Sequence, residues 1–214
     1  NTNTSGGYTF AGWTGGTVAN SSAENTTVTM SGNTALTANF NAPSTYILTT
    51  NVLGSGAAAA GCNITTNTSN PHTAGSVVEV TANPASCWTF TGWSGNLSGS
   101  TNPTTITMDS DKTVNATFTQ ITYTLSLTAS PTAGGSPSGA GTYNCSQTVN
   151  IYANTNSCYT FTGWTGGTVA NSSAENTTVT MSGNTALTAN YAIKTYTLSL
   201  TASPTAGGSP SGAG

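Results

Sequence analysis

The sequence carries very little charge. It has two basic and five acidic residues among 214, and the basic residues are Lys112 and Lys194, with no arginine. Nucleic acids and anionic membranes are bound through clusters of Lys and Arg, so both are excluded as main partners. Solubility must come from hydroxyl and amide side chains, and threonine alone is about a fifth of the chain.

Long hydrophobic runs and helical periodicity are also missing. No stretch approaches the roughly 20 apolar residues that a membrane-spanning helix needs. No signal peptide stands at Asn1, so we expect a mature or internal piece of a longer gene product. No segment keeps an apolar period of 3.6 residues, which predicts essentially no α-helix.

Groups suited to catalysis or metal binding are few. The only histidine, His72, lies in the polar segment "SNPHTAG", which occurs once, whereas a hydrolase needs a base positioned beside its nucleophile. Asp109 and Asp111 in "MDSDKT" could form paired carboxylates or a calcium site, but the equivalent turn elsewhere reads "MSGNT". We interpret His72 as a surface-loop residue and the aspartates as a hairpin turn. We predict no enzyme activity, no cofactor and no metal site.

The sequence does contain strict alternation of apolar and polar residues. In "YTLSLTA", Tyr123, Leu125 and Leu127 belong to one face of a strand and the intervening Thr and Ser residues to the other. Apolar and aromatic residues suit the buried side of a pleated sheet, and threonine suits the wet side. The pattern predicts an all-β fold.

The chain is built from internal repeats. The segment Tyr8–Phe40 recurs almost unchanged as Tyr159–Tyr191, and "F.GW" landmarks place the repeat at about 75 residues. We therefore predict an elongated array of tandem small β-domains. Its expected segments are the second half of a repeat at 1–41, complete repeats at 45–119 and 122–192, and the first half of a repeat at 194–214.

Five strands and a small core are predicted for the repeat that ends at Tyr191. The strands are Tyr123–Ala129, Tyr143–Ala153, Tyr159–Trp164, Thr177–Met181 and Thr185–Tyr191. The expected core residues are Leu125, Leu127, Ile151, Phe161, Trp164, Val179, Met181 and Leu187. Such a core is marginal, because each fully buried large side chain contributes only about 1.5–3 kcal/mol against the entropy lost on folding.

Cysteines offer one source of extra stability. Two fall in each complete repeat, and the pairing that repeats is Cys62 with Cys87 and Cys145 with Cys158. Disulfides of this kind typically add about 2–4 kcal/mol and indicate an oxidising, extracytoplasmic location. Free thiols are the alternative. A zinc site is disfavoured because it needs four close ligands and only one repeat holds a histidine.

The order "YTL.L.A.P..GG......G.Y.C...V.I.A....CYTFTGW.G........TTVTM....ALTANY" resembles the divergent branch of the internalin-type B-repeat domains. The resemblance covers two full repeats and two halves. It implies an extracellular, all-β, non-catalytic repeat of the kind used in stalks, adhesins and surface fibres. The family has no shared active-site residues, and its cysteines are not universal.

Repeated aromatic residues are interpreted by their register. Trp13, Trp93 and Trp164 recur at one position after "F.G", which indicates core anchors rather than ligand contacts. Trp88 is replaced by tyrosine in the other copies, so it is the better candidate for an exposed glycan contact.

Glycosylation is a further hypothesis, because glycans would help to keep so uncharged a surface soluble. The candidate acceptors are the asparagines of the N-x-S/T sequons: Asn3, Asn20, Asn25, Asn63, Asn67, Asn96, Asn115, Asn144, Asn171 and Asn176.

These patterns together indicate a structural repeat protein of a cell-surface filament or stalk, located extracellularly or at the cell surface. The alternative is an adhesin or a carbohydrate-binding module that recognises host or surface glycans. Near-verbatim copies favour the structural function. We expect the half repeats to be completed either by covalent continuation of a tandem array or by self-association through β-strand addition, and we expect no membrane insertion.

Overall fold

A computed structural model describes residues 6–209 and 211–212. The chain divides into two compact units, Asn1–Thr119 and Gln120–Gly214. The described residues are almost entirely strands, turns and loops, with two short 3-10 helices and no α-helix. The all-β prediction is confirmed. In the described part of the chain no helix is long and apolar enough to cross a membrane.

From residue 6 onward, the first unit contains ten strands. They are β1 Thr9–Thr14, β2 Thr37–Asn41, β3 Thr45–Tyr46, β4 Leu48–Leu53, β5 Asn63–Thr66, β6 His72–Thr73, β7 Val77–Asn83, β8 Trp88–Gly95, β9 Thr104–Thr107 and β10 Lys112–Gln120. β1 and β2 form a two-stranded sheet by themselves. The remaining strands form sheets in the orders β4-β10-β8, β3-β6 and β5-β7-β9.

The described part of the second unit contains six strands and two 3-10 helices, η1 and η2. They are β11 Thr122–Ser130, η1 Thr132–Gly134, β12 Gly141–Asn144, β13 Thr148–Tyr152, β14 Tyr159–Thr165, β15 Asn176–Thr180, β16 Thr185–Ile193 and η2 Thr205–Gly207. One sheet has the order β12-β11-β16-β14, and β13 pairs with β15 in the other. β11 and β16, the first and last strands of the repeat, are parallel neighbours, as are β4 and β10 in the first unit.

Buried and less buried residues alternate along the strands, and the buried ones form one core in each unit. In β16, Leu187, Ala189 and Tyr191 are buried while the residues between them are half-buried. The second core joins residues of both sheets: Leu125, Val149, Ile151, Ala153, Trp164, Val179, Met181, Leu187, Ala189 and Tyr191. Phe161 and Leu127 are only partly buried and pack against this cluster. The first core is built in the same way from residues between Leu48 and Phe118.

The predicted strand Tyr143–Ala153 is wrong as a single element. The structure splits it into β12, which pairs with β11, and β13, which pairs with β15 in the other sheet. Ser146 adopts a φ of 65° between them, and this left-handed conformation turns the chain from one sheet to the other. Alternation continues across the turn, so the pattern alone reads as one long strand.

The described residues of the two half repeats contribute nothing to either buried core. None of the described residues in 6–41 or in 194–212 is fully buried. The predicted boundaries of the four sequence segments remain a prediction.

Candidate functional site: the tryptophan loop

The most elaborate local arrangement in each repeat surrounds the tryptophan of "F.GW". Trp164 lies near the end of β14 and is 4% exposed. Its backbone N–H donates to the Ser172 carbonyl oxygen at 2.8 Å, and its indole Nε1–H donates to the Ala174 carbonyl oxygen at 3.1 Å. The loop after β14 is therefore fastened to the tryptophan through both its main chain and its side chain.

A β-bulge lies directly before the tryptophan in β14. The pairing of β14 with β16 shifts register between Phe161 and Gly163, and Gly163 has a φ of 143° that side-chain-bearing residues rarely adopt. The amide of Asn190 on β16 donates to the Gly163 carbonyl oxygen at 3.0 Å and to Thr165 Oγ1 at 2.9 Å. Asn190 thus satisfies polar atoms that the bulge removes from the regular ladder.

The loop itself is held by an Asx turn. The Asn171 Oδ1 accepts a hydrogen bond from the Ser173 backbone N–H at 3.0 Å. The backbone N–H of Asn171 donates to Thr177 Oγ1 at 3.0 Å. This local capture of the backbone by short polar side chains is characteristic of turns rich in Asn, Ser and Thr.

The same framework occurs in the N-terminal copy. Trp13 Nε1–H donates to the Ala23 carbonyl oxygen at 3.0 Å. Asn39 donates to the Gly12 carbonyl oxygen and to Thr14 Oγ1, each at 3.1 Å. Trp13 itself is half-buried rather than buried.

The first complete repeat keeps the tryptophan contact although its loop sequence differs. Trp93 is 5% exposed, and its Nε1–H donates to the Thr101 carbonyl oxygen at 2.9 Å. The counterpart of Asn190 is Thr117, and a different asparagine, Asn115, donates its side-chain amide to Ser94 Oγ at 3.4 Å. The three tryptophans therefore have one structural role that does not depend on the loop sequence.

An aromatic triad packs behind each tryptophan. Ring centroids are 5.7 Å apart for Phe161 and Trp164, and 6.0 Å apart for Phe161 and Tyr191 in an edge-to-face arrangement. Equivalent triads are formed by Phe90, Trp93 and Phe118 and by Phe10, Trp13 and Phe40. Such pairs contribute about 0.5–1.5 kcal/mol beyond their buried area.

Tyr191 connects this triad to the glycine-rich loop. Its hydroxyl donates to the Ala153 carbonyl oxygen at 2.5 Å, and its ring covers Gly134 and Gly135. A Cβ on Gly134 would lie 2.5 Å from the Tyr191 ring, so only glycine fits there. Burial, with a smaller effect of the Glu175 carboxylate, raises the pKa of the Tyr191 hydroxyl above its usual value of 10.0.

The predicted disulfide between Cys145 and Cys158 is wrong. Cys158 carries a free thiol and is exposed, whereas Cys145 is disulfide-bonded. Cys145 follows β12 and Cys158 precedes β14, and these are opposite edge strands with β11 and β16 between them. Edge strands so placed are about 14 Å apart at the usual strand spacing, while bonded cysteines need Cα atoms within about 7 Å.

The predicted disulfide between Cys62 and Cys87 is also wrong. Cys62 is a free, buried thiol and Cys87 is disulfide-bonded. The Sγ of Cys62 accepts a hydrogen bond from the Ala85 backbone N–H at 3.3 Å, so the thiol is held inside the core. Cys87 has a φ of 66° at the turn into β8.

The assumed equivalence of the two cysteine pairs caused both errors. Cys62 precedes β5, which pairs with β7, whereas Cys145 follows β12, which pairs with β11. Thr73 is paired with Thr45 as Asn144 is paired with Thr122. The counterpart of Cys145 is therefore the residue after Thr73, an alanine.

Asp109 and Asp111 lie in the connection between β9 and β10, which is not the hairpin turn that the sequence suggested, because these two strands belong to different sheets. Asp109 forms a salt bridge with Lys112, and the hydrogen bond from that lysine lowers the pKa of the Asp109 carboxyl. Asp111 Oδ1 accepts the Ile47 backbone N–H at 2.8 Å. Among the described residues no group of three or more His, Cys, Asp and Glu side chains is placed to hold a metal ion.

His72 is not on a surface loop as the sequence suggested. It lies in β6 and is buried, with its Nδ1 3.2 Å from Thr68 Oγ1. Its strand pairs with β3, which brings the imidazole into the interior.

Trp88 is half-buried and packs against the first core. The indole is therefore not the freely exposed platform that the sequence suggested. A cavity of about 700 Å³ on the second unit is lined by small and polar residues such as Gly166, Thr178 and Asn184, without an aromatic side chain.

Most of the sequon asparagines lie on the surface. Asn3 falls outside the described residues. Exposed acceptors are Asn20, Asn25, Asn63, Asn67, Asn96, Asn144, Asn171 and Asn176, and Asn115 is half-buried. Several of these side chains already have structural partners, as when Asn96 Oδ1 accepts the Thr113 backbone N–H at 2.8 Å.

The repeat architecture agrees with a known sequence family. The profile of the divergent InlB B-repeat domain matches residues 3–44, 55–122 and 125–195. The chain belongs to this family. The resemblance noted from the sequence is thereby confirmed. B-repeat domains are surface-associated and generally non-catalytic. Searches of curated proteins and of solved structures gave no match to the chain.

Proposed function

We propose that this B-repeat chain is a non-catalytic structural component of an extracellular filament or stalk at a cell surface. The observation that carries the proposal is the reuse of one framework three times. Trp13, Trp93 and Trp164 each donate their indole N–H to a carbonyl oxygen of the following loop. The tryptophan that is the same in all three copies thus stabilises the fold of each copy. A modular scaffold requires such shared structural residues.

The chemistry of the surface supports the same function. With two basic and five acidic residues in the whole chain, the exterior consists mainly of Thr, Ser, Asn and Gly. The disulfide-bonded state of Cys87 and Cys145 fits an oxidising, extracytoplasmic environment. The low surface charge and the disulfide-bonded cysteines are both properties of a structural protein and do not depend on a substrate or a catalytic residue.

The proposal is tested on native material. Antibodies against the chain should label extended structures on intact, unpermeabilised cells, and deletion of the coding sequence should remove those structures. Labelling that appears only after permeabilisation would contradict the surface location, and fibres that persist after deletion would contradict the structural role.

The alternative, a carbohydrate-binding repeat, has weaker support. Sugar recognition commonly uses an aromatic face open to solvent, but Trp88 is half-buried against the core. A glycan array separates the two functions, with Trp88→Ala as the variant and Ser94→Ala as an exposed control on the same strand. We expect no array signal for the native chain. A signal abolished by the Trp88 substitution alone would establish the adhesive function.

Glycosylation of the exposed sequons belongs to the same proposal. Asn25, Asn144 and Asn176 are exposed, and within the described residues their side chains make no hydrogen bond, so each amide is accessible to modification. A mass measurement of native material before and after enzymatic deglycosylation tests this, and an unchanged mass equal to the sequence value would contradict it.

A further inference from the structure

The cavity on the second unit is a groove whose walls carry main-chain hydrogen-bonding groups. It has a volume of about 700 Å³ and is lined by the loop after β14, by β15 and by the start of β16. Of its lining residues, all in the described part of the chain, none is charged or aromatic, and Thr168, Thr180 and Ser182 supply hydroxyl groups. The groove therefore suits a neutral ligand that forms hydrogen bonds.

One wall of the groove is the edge of β16 beyond the end of β14. β14 ends at Thr165, which pairs with Thr188. Every second residue of an antiparallel strand bonds to the same neighbour, so the next bonded pair would join Gly167 to Ala186. Among the described residues Gly167 makes no backbone hydrogen bond to Ala186. The N–H and C=O of Ala186 therefore face the groove.

The first complete repeat closes the same position with its own chain. A Cβ on Gly95 would stand 2.5 Å from the Thr113 carbonyl oxygen. A Cβ on Gly166 would stand 2.5 Å from the Ala186 carbonyl oxygen, so Thr113 and Ala186 are counterparts. Asn96 donates its N–H to the Thr113 carbonyl oxygen at 2.8 Å, and its Oδ1 accepts the Thr113 N–H at 2.8 Å. One asparagine thus satisfies both main-chain groups of Thr113.

The second repeat has a glycine where the first has this asparagine. Gly167 follows Gly166 as Asn96 follows Gly95, and it has no side chain with which to reach Ala186. The difference between the repeats at this place is one asparagine side chain and the backbone bond beside it.

The apolar position of the loop is occupied in both repeats. Leu97 packs against the first core and Val169 against the second. The loop of the second repeat is longer, because Trp164 bonds to a carbonyl oxygen 10 residues further on, whereas Trp93 bonds to one 8 residues further on. The second repeat thus keeps its apolar contact and lacks only the amide.

The opposite wall of the groove is the outer edge of β15. Directly after β15, the Met181 N–H donates to the Gln147 carbonyl oxygen at 2.9 Å, on the side of β13. By alternation, Thr178 and Thr180 direct their main-chain groups away from β13, and both line the groove. The Thr178 carbonyl oxygen accepts the Ala170 N–H at 2.9 Å, which confirms this direction.

We propose that the groove binds an extended, uncharged segment of a partner polypeptide through an asparagine that takes the place of Asn96. The asparagine N–H donates to the Ala186 carbonyl oxygen, and its Oδ1 accepts the Ala186 N–H, as Asn96 does with Thr113. The neighbouring peptide groups bond to the edge formed by Thr178 and Thr180, which is a short form of strand addition. This site goes beyond the proposed structural function and does not depend on it.

A polypeptide is favoured over other ligands by the groups in the groove. The first repeat shows that an asparagine in a chain fits a main-chain N–H and C=O of this strand at once. An ionised ligand would lose hydration without meeting an opposite charge, because no charged residue lines the groove. A sugar ring would find no aromatic face on which to stack.

The test is an NMR titration of the isotope-labelled 214-residue chain with the peptide SGNLS, the sequence of residues 94–98. The peptide is acetylated and amidated, so it carries no charge. We expect saturable shifts of the amide signals of Gly167, Thr178, Thr180 and Ala186. The peptide SGALS lacks the side-chain acceptor and should bind about fivefold more weakly, the effect of one hydrogen bond.

A substitution closes the groove from within the chain. Gly167→Asn gives the second repeat the asparagine that the first repeat has. A Cβ there would lie 3.1 Å from Leu187 and 3.2 Å from Thr185 side-chain atoms, which small side-chain shifts accommodate. We expect this variant to fold, as circular dichroism checks, and to lose the peptide shifts. Thr162→Asn is the matched control, because Thr162 is exposed on β14 and does not line the groove, and it should bind as the native chain does.

Each other result overturns the inference. Absence of shifts in the native chain, or equal affinity for SGNLS and SGALS, would exclude recognition through the asparagine, and this comparison needs no variant protein. Peptide shifts that persist in folded Gly167→Asn would place the site elsewhere. Shifts caused by N-acetylglucosamine and not by the peptide would assign the groove to a sugar amide. Concentration-dependent shifts without peptide would assign it to a second copy of the chain. All these outcomes leave the proposed surface function standing, since that function is tested on cells.

Discussion

The ring of Tyr191 lies so close over Gly134 that a single methyl group on the glycine would stand 2.5 Å from the ring carbons. We predict that Gly134→Ala destabilises the second unit by about 1–3 kcal/mol, because the added carbon overpacks a filled site. Chemical denaturation measures the change. Gly207→Ala is the matched control, since it has the same sequence neighbours but open space.

For the Gly207→Ala control we expect between no change and a gain of about 1 kcal/mol from reduced freedom of the unfolded chain. Equal losses at both glycines would show that the Tyr191 contact is not the cause.

Tyr191→Phe removes a buried hydrogen bond while keeping the ring. The hydroxyl bonds the Ala153 carbonyl oxygen, so the loss should be about 1–2 kcal/mol at neutral pH. Phe118 occupies the equivalent place in the first unit, which shows that phenylalanine fits. A loss below about 0.3 kcal/mol would mean that the carbonyl finds another donor.

The buried Tyr191 hydroxyl should also make the stability of the folded state depend on pH. Burial raises its pKa above 10.0 in the folded state, so folding favours the protonated form. The stabilisation is fully present below pH 10 and is lost as the pH rises through the folded-state pKa. Thermal melts between pH 8 and 11.5 should show native stability falling more steeply than that of Tyr191→Phe. Parallel curves for the two proteins would contradict the coupling.

Trp164→Ala should unfold its repeat. The side chain is buried and bonded to Ala174, and truncation of such an aromatic residue costs about 3–5 kcal/mol. Trp88→Ala, on a half-buried indole, should cost clearly less. Unfolding is followed by near-ultraviolet circular dichroism. A change at Trp164 smaller than that at Trp88 would contradict the anchor role.

The four cysteines should respond differently to alkylation. Iodoacetamide should modify Cys158 in the native state because that thiol is free and exposed. Cys62 is free but buried, so it should react only after unfolding, while Cys87 and Cys145 should need a reductant first. Peptide mass mapping reads out all four positions. Native labelling of Cys62, or labelling of Cys87 without reduction, would contradict the assigned states.

Much of the fold could be predicted because its signals are local. Alternation of apolar and polar residues placed β11, β14, β15 and β16 within two residues of their observed bounds, and repetition identified the landmark tryptophans. The split between β12 and β13 was not predictable, because Ser146 continues the alternation and only its φ turns the chain. Local patterns do not show which sheet a strand joins.

The supporting contacts were missed for a related reason. Asn190 and Gly134 act on residues that are distant in sequence, and nothing in their immediate neighbourhood indicates a bulge or a facing ring. The one available signal was their exact recurrence, as Asn39 and Gly207. The cysteine pairing failed because it assumed equivalent positions. Cys62 precedes β5, whereas Cys145 follows β12, whose counterpart in the first unit is β6.

The parallel pairing of the first and last strands determines how each repeat resists tension. The chain enters the complete repeat at the start of β11 and leaves it at the end of β16, and the two strands lie side by side over six residue pairs. A pull on both ends therefore slides one strand along the other and loads all the hydrogen bonds between them together. Strands pulled apart from one end would instead release these bonds one after another. Each complete repeat is accordingly built as a shear clamp, suited to a chain that carries mechanical load.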